Sequence, residues 1–281
     1  MLANNYKGRV DFEGPVYIQP KLDGVRALFR VDKKRLVSID SRNGNPFGHL
    51  VNVFSDSVAE LMKKIDGDLG GDIEFLGGDI EFLDGELYVH GKSFQDLVSM
   101  VRNPERIDDG LEFHIFDLVT KKKIGFAERW GILSRAFAQL TLKKSREKLK
   151  LVNTTISRDI EGHLARAELE GYEGIMIRDG VTPYEMGKRS KSLLKYKRFS
   201  TDEFEIVGVR EAQGKDRGTP VFECRTLGGS VFSARPKGTL EERKMMMTSV
   251  KVGMMMTVQH QGFSRDGVPR FPVAIVVRDY E

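Results

Sequence analysis

Short apolar runs that break off into small polar clusters dominate the first half of this chain, and they constrain it to a sheet-rich fold. Val16 to Gln19, Ala27 to Val31 and Leu36 to Ile39 alternate or carry β-branched residues, with turn chemistry between them, and Leu111 to Val119 is another, strongly apolar strand candidate. The hexapeptide Lys21-Leu22-Asp23-Gly24-Val25-Arg26 stands between two such runs. Taken alone, it reads as a hairpin, because Asp-Gly is a strong turn signal between strands. Ser41-Arg42-Asn43-Gly44-Asn45-Pro46 reads as a second tight turn.

Helical periodicity is confined to a few segments. Val53 to Ile65 and Phe126 to Leu140 place apolar residues near a 3.6-residue period, and Trp130 reads as a packing anchor of the latter. Ile160 to Glu170 forms a further amphipathic stretch, with Gly171 as its stop. After Phe199 the texture changes. Phe204 to Val209, Val221 to Thr226, Ser230 to Ala234, Met254 to Gln261 and Val273 to Val277 are short strand candidates, and Leu240 to Met247 is a helix candidate between the third and fourth. Five strands with a helix in that position outline an oligonucleotide-binding (OB) barrel. The methionine runs 245–247 and 254–256 read as core filling. Gly70 to Leu76 is repeated at once as Gly77 to Leu83, a local duplication in which either copy could lead into Asp84.

A length of 281 residues suits two compact domains. The net charge of +4 is compatible with a polyanionic partner. Cys224 is the only cysteine, which excludes an intramolecular disulfide and a multi-cysteine zinc site. No run approaches the ~18 apolar residues of a membrane span, and residues 1–13 lack a signal-peptide core. A cytoplasmic protein without a membrane partner is expected.

Further polar clusters follow the hexapeptide: Ser41-Arg42-Asn43-Gly44, Asp84-Gly85-Glu86-Leu87, Phe113-His114-Ile115-Phe116-Asp117, Glu173-Gly174-Ile175-Met176-Ile177-Arg178, Leu194-Lys195-Tyr196-Lys197 and Pro269-Arg270-Phe271-Pro272 through Arg278-Asp279. In this order they resemble the motifs of the covalent nucleotidyltransferases, specifically a minimal ATP-dependent DNA ligase of phage, viral or bacterial accessory type. The resemblance covers nearly the whole chain. It implies an α+β protein: an antiparallel-sheet, ATP-grasp-like adenylyltransferase domain over residues 1–199 and a small β-barrel OB-fold domain over 200–281. It also implies ATP and Mg²⁺ as cofactors, nicked duplex DNA as partner, a monomer, and the host cytoplasm as location if the source is viral.

The residue types carry matching chemistry. Lys21 would be the nucleophile that attacks the α-phosphate of ATP to give a lysyl-AMP phosphoramidate; it must first lose its proton, which nearby cations favour. Arg26 and Arg42 offer forked donors. By resemblance Arg26 holds the ribose, and Arg42 reaches the nucleic-acid 5′-phosphate or a nucleotide phosphate. Glu173 is assigned to the metal and Glu86 to the ribose, the metal or both, since hard oxygen ligands suit Mg²⁺. Asp84 reads as a brace of its turn. Phe116 is the adenine-stacking aromatic by resemblance, although a Phe in so apolar a strand would otherwise be core.

Lys195 and Lys197, two apart, would share one strand face and hold the triphosphate. Arg270 and Arg278 would swing onto the pyrophosphate leaving group. The closing motif departs from many relatives, ending Arg278-Asp279-Tyr280-Glu281 where they carry a further lysine, and Glu211 to Thr219 is too short for a DNA-encircling hairpin. The alternatives are an RNA ligase or an mRNA-capping guanylyltransferase, and, from another class, a catalytically inactive nucleic-acid-binding module.

Overall fold

The computed structural model describes residues 1–68, 80–264 and 266–278. The chain divides into two units, Met1–Lys197 and Arg198–Glu281. The first unit holds strands β1 (Leu2–Asn5), β2 (Val16–Lys21), β3 (Val25–Asp32), β4 (Arg35–Ser41), β5 (Ile80–Tyr88), β6 (Glu112–Thr120), β7 (Leu149–Leu151), β8 (Thr155–Ile156), β9 (Gly174–Asp179) and β10 (Arg189–Tyr196). Its helices are α1 (Val51–Asp68), α2 (Phe94–Arg102), α3 (Phe126–Ala138), α4 (Lys143–Lys148) and α5 (Ile160–Leu169).

These strands form two sheets, ordered β4-β3-β5-β6-β7 and β1-β10-β9-β2-β8. Strands β2 and β3, consecutive in sequence, lie in different sheets. Residues 22–24 therefore carry the chain from one sheet to the other, and the hairpin expected over the hexapeptide does not form. The reason is contact made elsewhere: β2 pairs with β9, whereas β3 pairs with β4 and β5. Gly24 permits the crossing, because a Cβ there would stand 2.6 Å from the Leu87 carbonyl oxygen and 2.7 Å from Glu86 Cγ.

Each sheet is two-faced, as the period-two pattern requires. In the first sheet, Ala27, Phe29, Leu83, Leu87, Phe113 and Ile115 point into the main core, which also takes Phe54, Leu61 and Met62 of α1 and Leu133 of α3. Phe29 and Phe113 stack with ring centroids 3.6 Å apart. In the second sheet, Val16, Ile18, Ile175 and Ile177 pack against Ile160 and Leu164 of α5. Trp130 sits at the edge of the main core, stacked near Phe126. Gly171 ends the α5 segment with φ +81°.

The sheets are mixed, not purely antiparallel as expected. β1 pairs with β10 in parallel, and β6 with β7. Parallel neighbours need a long crossover, which α3 and α4 supply between β6 and β7 and most of the unit supplies between β1 and β10.

The second unit holds β11 (Ser200–Glu211), β12 (Pro220–Arg225), β13 (Val231–Pro236), α6 (Leu240–Ser249), β14 (Met255–His260) and β15 (Val273–Arg278). Its strands close on themselves in the order β11-β12-β13-β15-β14 around Ile206, Phe222, Cys224, Ala234, Met256 and Val258. The β13–β15 pair is again parallel. Thr239 and Glu242 form a reciprocal cap that starts α6.

The methionine runs divide. Met256 is core, while Met245 is 65% exposed, because α6 buries none of its residues. The duplication falls mostly on residues 69–79, outside those described; Ile80 to Leu83 of the second copy lead into Asp84 within β5. Asp279 also lies outside the described residues. Among the described residues no helix is long and apolar enough to cross a membrane.

Candidate active site

The faces turned away from the two cores of the first unit line a cavity of about 810 Å³. Gln19, Lys21, Met176, Arg178, Leu193 and Lys195 reach it from one sheet, and Arg26, Asp84, Glu86 and Phe116 from the other. Ser41, Arg42 and the residues that follow, together with α2, complete the wall.

Lys21 ends β2, opposite Gly174 in β9, and its carbonyl accepts from the Glu173 amide at 3.0 Å. That pairing sets Glu173 beside the lysine. Gly174 is required for it: φ is +152°, and a Cβ would stand 2.3 Å from the Tyr196 carbonyl oxygen. Lys21 Nζ donates to Glu173 Oε2, and Lys197 Nζ donates to Glu173 Oε1. Burial pushes the Glu173 carboxyl up, but Lys21 and Lys197 outweigh it and hold it below the usual carboxylate range.

Lys195 lines the cavity; burial, Lys197 and Lys21 lower its pKa. Lys195 lies in β10, which ends at Tyr196, and Lys197 follows directly. Lys197 reaches Glu173 from just beyond the strand, and Tyr196 between them donates to Glu161 at 2.9 Å.

Glu86 is half-buried, and its carboxylate has no hydrogen-bond partner among the described residues. Burial raises its pKa to about 7, against the pull of Lys21 and Arg26. A carboxylate left unpaired in a cavity suits a cation, and Glu86 with Glu173 gives two hard oxygen donors. Among the described residues no group of three or more His, Cys, Asp or Glu could hold a metal. A Mg²⁺ ion held here would complete its shell with phosphate oxygens and water.

Arg26 is held more tightly than its sequence suggested. Nε and Nη2 donate to Asp84 Oδ1 and Oδ2 at 3.0 and 2.7 Å, Nη1 donates to the Met1 carbonyl at 2.8 Å, and Nη2 also donates to the Tyr184 hydroxyl at 3.1 Å. Four of its five N–H donors are thereby used. A ligand would receive one donor, not a fork. Asp84, read as a turn brace, is instead the buried anchor of this arginine, and Tyr184 donates to its Oδ2 at 2.7 Å.

Phe116 lies on the cavity face of β6, with the guanidinium carbons of Arg178 and Arg26 5.3 and 5.8 Å from its ring centroid. Beneath it, Asp117 is fully buried and accepts from Arg129 Nε and Nη2 at 2.7 and 3.0 Å, Arg178 Nη1 at 2.8 Å and the Leu118 amide at 2.8 Å. Arg178 Nε donates to Gln19 Oε1 at 2.8 Å, and Gln19 Nε2 donates to the Phe116 carbonyl at 3.2 Å. The strand pairing aligns this network, with Gln19 beside Met176 and Arg178 beside Tyr17.

Arg42 occupies the tip of a turn closed by the Gly44 amide on the Ser41 carbonyl at 2.9 Å, with Gly44 at φ +82°. Arg270 and Arg278 belong to the second unit. Arg278 Nε donates to Thr257 Oγ1 at 3.1 Å and pairs with Glu203 at 3.2 Å; the Arg270 guanidinium lies 5.8 Å from the Phe271 ring centroid.

Sequence reasoning named Gln19 and Arg178 without giving either a role, and missed Arg129, Tyr184 and the whole of α2. The helix had a signal: Phe94, Leu97, Val98 and Val101 recur at helical spacing behind Ser93, whose side chain accepts from the Asp96 amide. The buried arginines had none, because their partners are distant in sequence.

Residues 1–197 match the family model of the ATP dependent DNA ligase domain, and residues 217–278 match that of the DNA ligase OB-like domain. Among curated proteins, a DNA ligase of African swine fever virus (isolate Warthog/Namibia/Wart80/1980) is 27% identical over 232 residues, 78% of this chain and 51% of the viral protein. The chain thus spans about half the length of the curated relatives it matches. Among solved structures, one from work on Lig E DNA ligases has a TM-score of 0.72 at 21% identity, covering 99% of this chain and 98% of that one. Another, Pmar-Lig, has a TM-score of 0.76 at 23% identity, covering 100% and 67%. At those identities the likeness is one of fold.

Proposed function

The chain belongs to the ATP-dependent DNA ligase family, and from that premise we propose that it seals nicks in duplex DNA through a lysyl-AMP intermediate on Lys21. The observation that carries the reading is Lys21 at a sheet-to-sheet crossing, ion-paired to Glu173 and facing the unpaired Glu86 in a cavity that also holds Phe116 and Lys195.

In the first step the neutral Lys21 amine attacks the α-phosphorus of ATP. The N–P bond forms, the bond to the bridging oxygen breaks, pyrophosphate leaves and the amine gives up a proton. Phe116 stacks on the adenine, Arg26 gives one donor to the ribose, and Lys195 offsets charge gathering on the phosphates. The Lys21–Glu173 ion pair must open before the amine can attack, while Lys197 retains its hold on the glutamate. Mg²⁺ held by Glu86 and Glu173 would neutralise phosphate charge.

In the second step an oxygen of the DNA 5′-phosphate attacks the same phosphorus, and Lys21 departs and regains a proton. In the third, the 3′-hydroxyl attacks the 5′-phosphorus, the phosphodiester forms and AMP is released. Arg42 serves the 5′-phosphate, and Arg270 and Arg278 serve the departing pyrophosphate. An ATP-grasp-like arrangement of the two sheets and action as a monomer complete the proposal.

Incubation with α-labelled ATP and Mg²⁺ tests it. We expect a covalent adduct that Lys21→Ala abolishes and that nicked DNA discharges with sealing. No adduct would sink the enzyme reading. An adduct surviving in Lys21→Ala would move the nucleophile, one formed from GTP alone would favour capping chemistry, and discharge only by nicked RNA would make this an RNA ligase.

A further inference from the structure

The cavity does not end at the nucleotide groups. Its wall also takes in the turn that carries Arg42 and one face of α2, where Phe94, Val98, Val101 and Arg102 recur at helical spacing. His49, in the helical turn Gly48–Leu50 that follows the Arg42 segment, fastens to α2: its Nε2 lies 3.0 Å from the Val101 carbonyl oxygen, which makes that nitrogen the N–H donor. Arg42 and Arg102 are both exposed, and neither guanidinium has a hydrogen bond or ion pair among the described residues. Among the described residues, the carboxylates lining the cavity are Asp84, which is bound to Arg26, and Glu86, which is beside Lys21. Two guanidiniums with no ion-pair partner among the described residues therefore line this part of the cavity, beside the apolar residues of α2.

We propose that Arg102, on the helix to which His49 fastens the segment after Arg42, is a second binding group for the 5′-terminal phosphate of the polynucleotide that accepts AMP. The inference rests on the ligase reading and adds a residue and an element to it. A phosphate monoester presents oxygens to two separate forks, and Arg is the side chain suited to that recognition. The adjoining Phe94 and Val98 suit the apolar edge of a sugar and base, and would do nothing for bare pyrophosphate. Arg102 also stands in the last turn of α2, where a cation is favoured by the helix dipole alone, so the test must separate binding from helix stability.

The experiment uses the full chain, first charged with AMP on Lys21, and nicked duplexes bearing either a 5′-phosphate or a 5′-hydroxyl. Arg102→Gln should become adenylylated at the wild-type rate. It should bind the 5′-phosphate nick on the order of tenfold more weakly, and transfer AMP correspondingly more slowly at subsaturating DNA. Its affinity for the 5′-hydroxyl nick should be unchanged. Arg106→Gln, which removes a neighbouring charge bonded to Ser99 outside the cavity lining, should behave as wild type.

Equal losses on both nicks would reduce Arg102 to a general backbone contact and overturn the proposal. Slowed adenylylation would place it on ATP and overturn it as well, as would wild-type behaviour throughout. If the unmutated chain forms no adduct with ATP, the ligase reading itself fails; if it forms one and seals, only the role of Arg102 is at stake.

Discussion

Arg26 shows how a single side chain's chemistry is decided by what already holds it. Asp84, Tyr184 and the Met1 carbonyl absorb most of its donors, so its task is fixed orientation and not broad grip. Tyr184 completes the arrangement, donating to Asp84 while accepting from Arg26. Tyr184→Phe should therefore loosen Arg26 without emptying the cavity. We expect ATP affinity to fall roughly fivefold, about 1 kcal/mol, with 2′-deoxy-ATP affected less. Equilibrium binding in a Lys21→Ala background, where no adduct can form, measures both. An equal loss for the two nucleotides would remove the ribose from Arg26.

The helices of the first unit are tied down by side chains as well as by apolar contact. Glu60 of α1 accepts from the Thr141 amide and hydroxyl at 2.8 and 2.9 Å and from the Leu142 amide at 3.1 Å, capping the start of α4. Ser145 stands beside the same carboxylate, outside ordinary hydrogen-bond geometry. Burial pushes this carboxyl up, and Ser145 with the Thr141 and Leu142 donors outweighs it, bringing the pKa from 4.5 down to about 2. A depressed folded-state pKa stabilises above the unfolded value and ceases to do so as pH falls through the folded one. The Glu60 contribution should thus be complete above about pH 5 and fade between there and pH 2. Glu60→Ala should cost about 2 kcal/mol at pH 7 and flatten that acid limb, as read by denaturant melts across the pH series.

At the scale of the whole molecule, the two units have separate apolar cores, the larger one around Phe29, Phe54 and Phe113 and the smaller one around Phe222 and Met256. Separate cores predict separable unfolding. Phe222 is fully buried in the barrel, and Phe222→Ala should cost that unit about 3–5 kcal/mol. Calorimetry should then show an early transition that AMP, which lacks the pyrophosphate, does not shift, while the remaining transition still rises with AMP, because a ligand stabilises only the unit it binds. A single transition moving as one would mean that the cores unfold together.

The elements were legible where local chemistry settles them. Short alternating or β-branched runs marked β2, β3 and β4, a strongly apolar run marked β6, and 3.6-residue periodicity marked α1, α3 and α5, because burial leaves that trace in the order of residues. The polar clusters carried the candidate site in the same way: Lys21, Arg26, Glu86, Phe116 and Lys195 could be named before any of them had a position. What the order of residues could not decide was partnership. That Lys21-Leu22-Asp23-Gly24 is a crossing between sheets, that Asp84 and Tyr184 occupy Arg26, that Asp117 joins Arg129 to Arg178, and that α2 brings Arg102 into the cavity all depend on strands paired across long stretches of chain. A hydrogen bond or ion pair is satisfied by proximity in space, and only the tertiary structure brings these residues together.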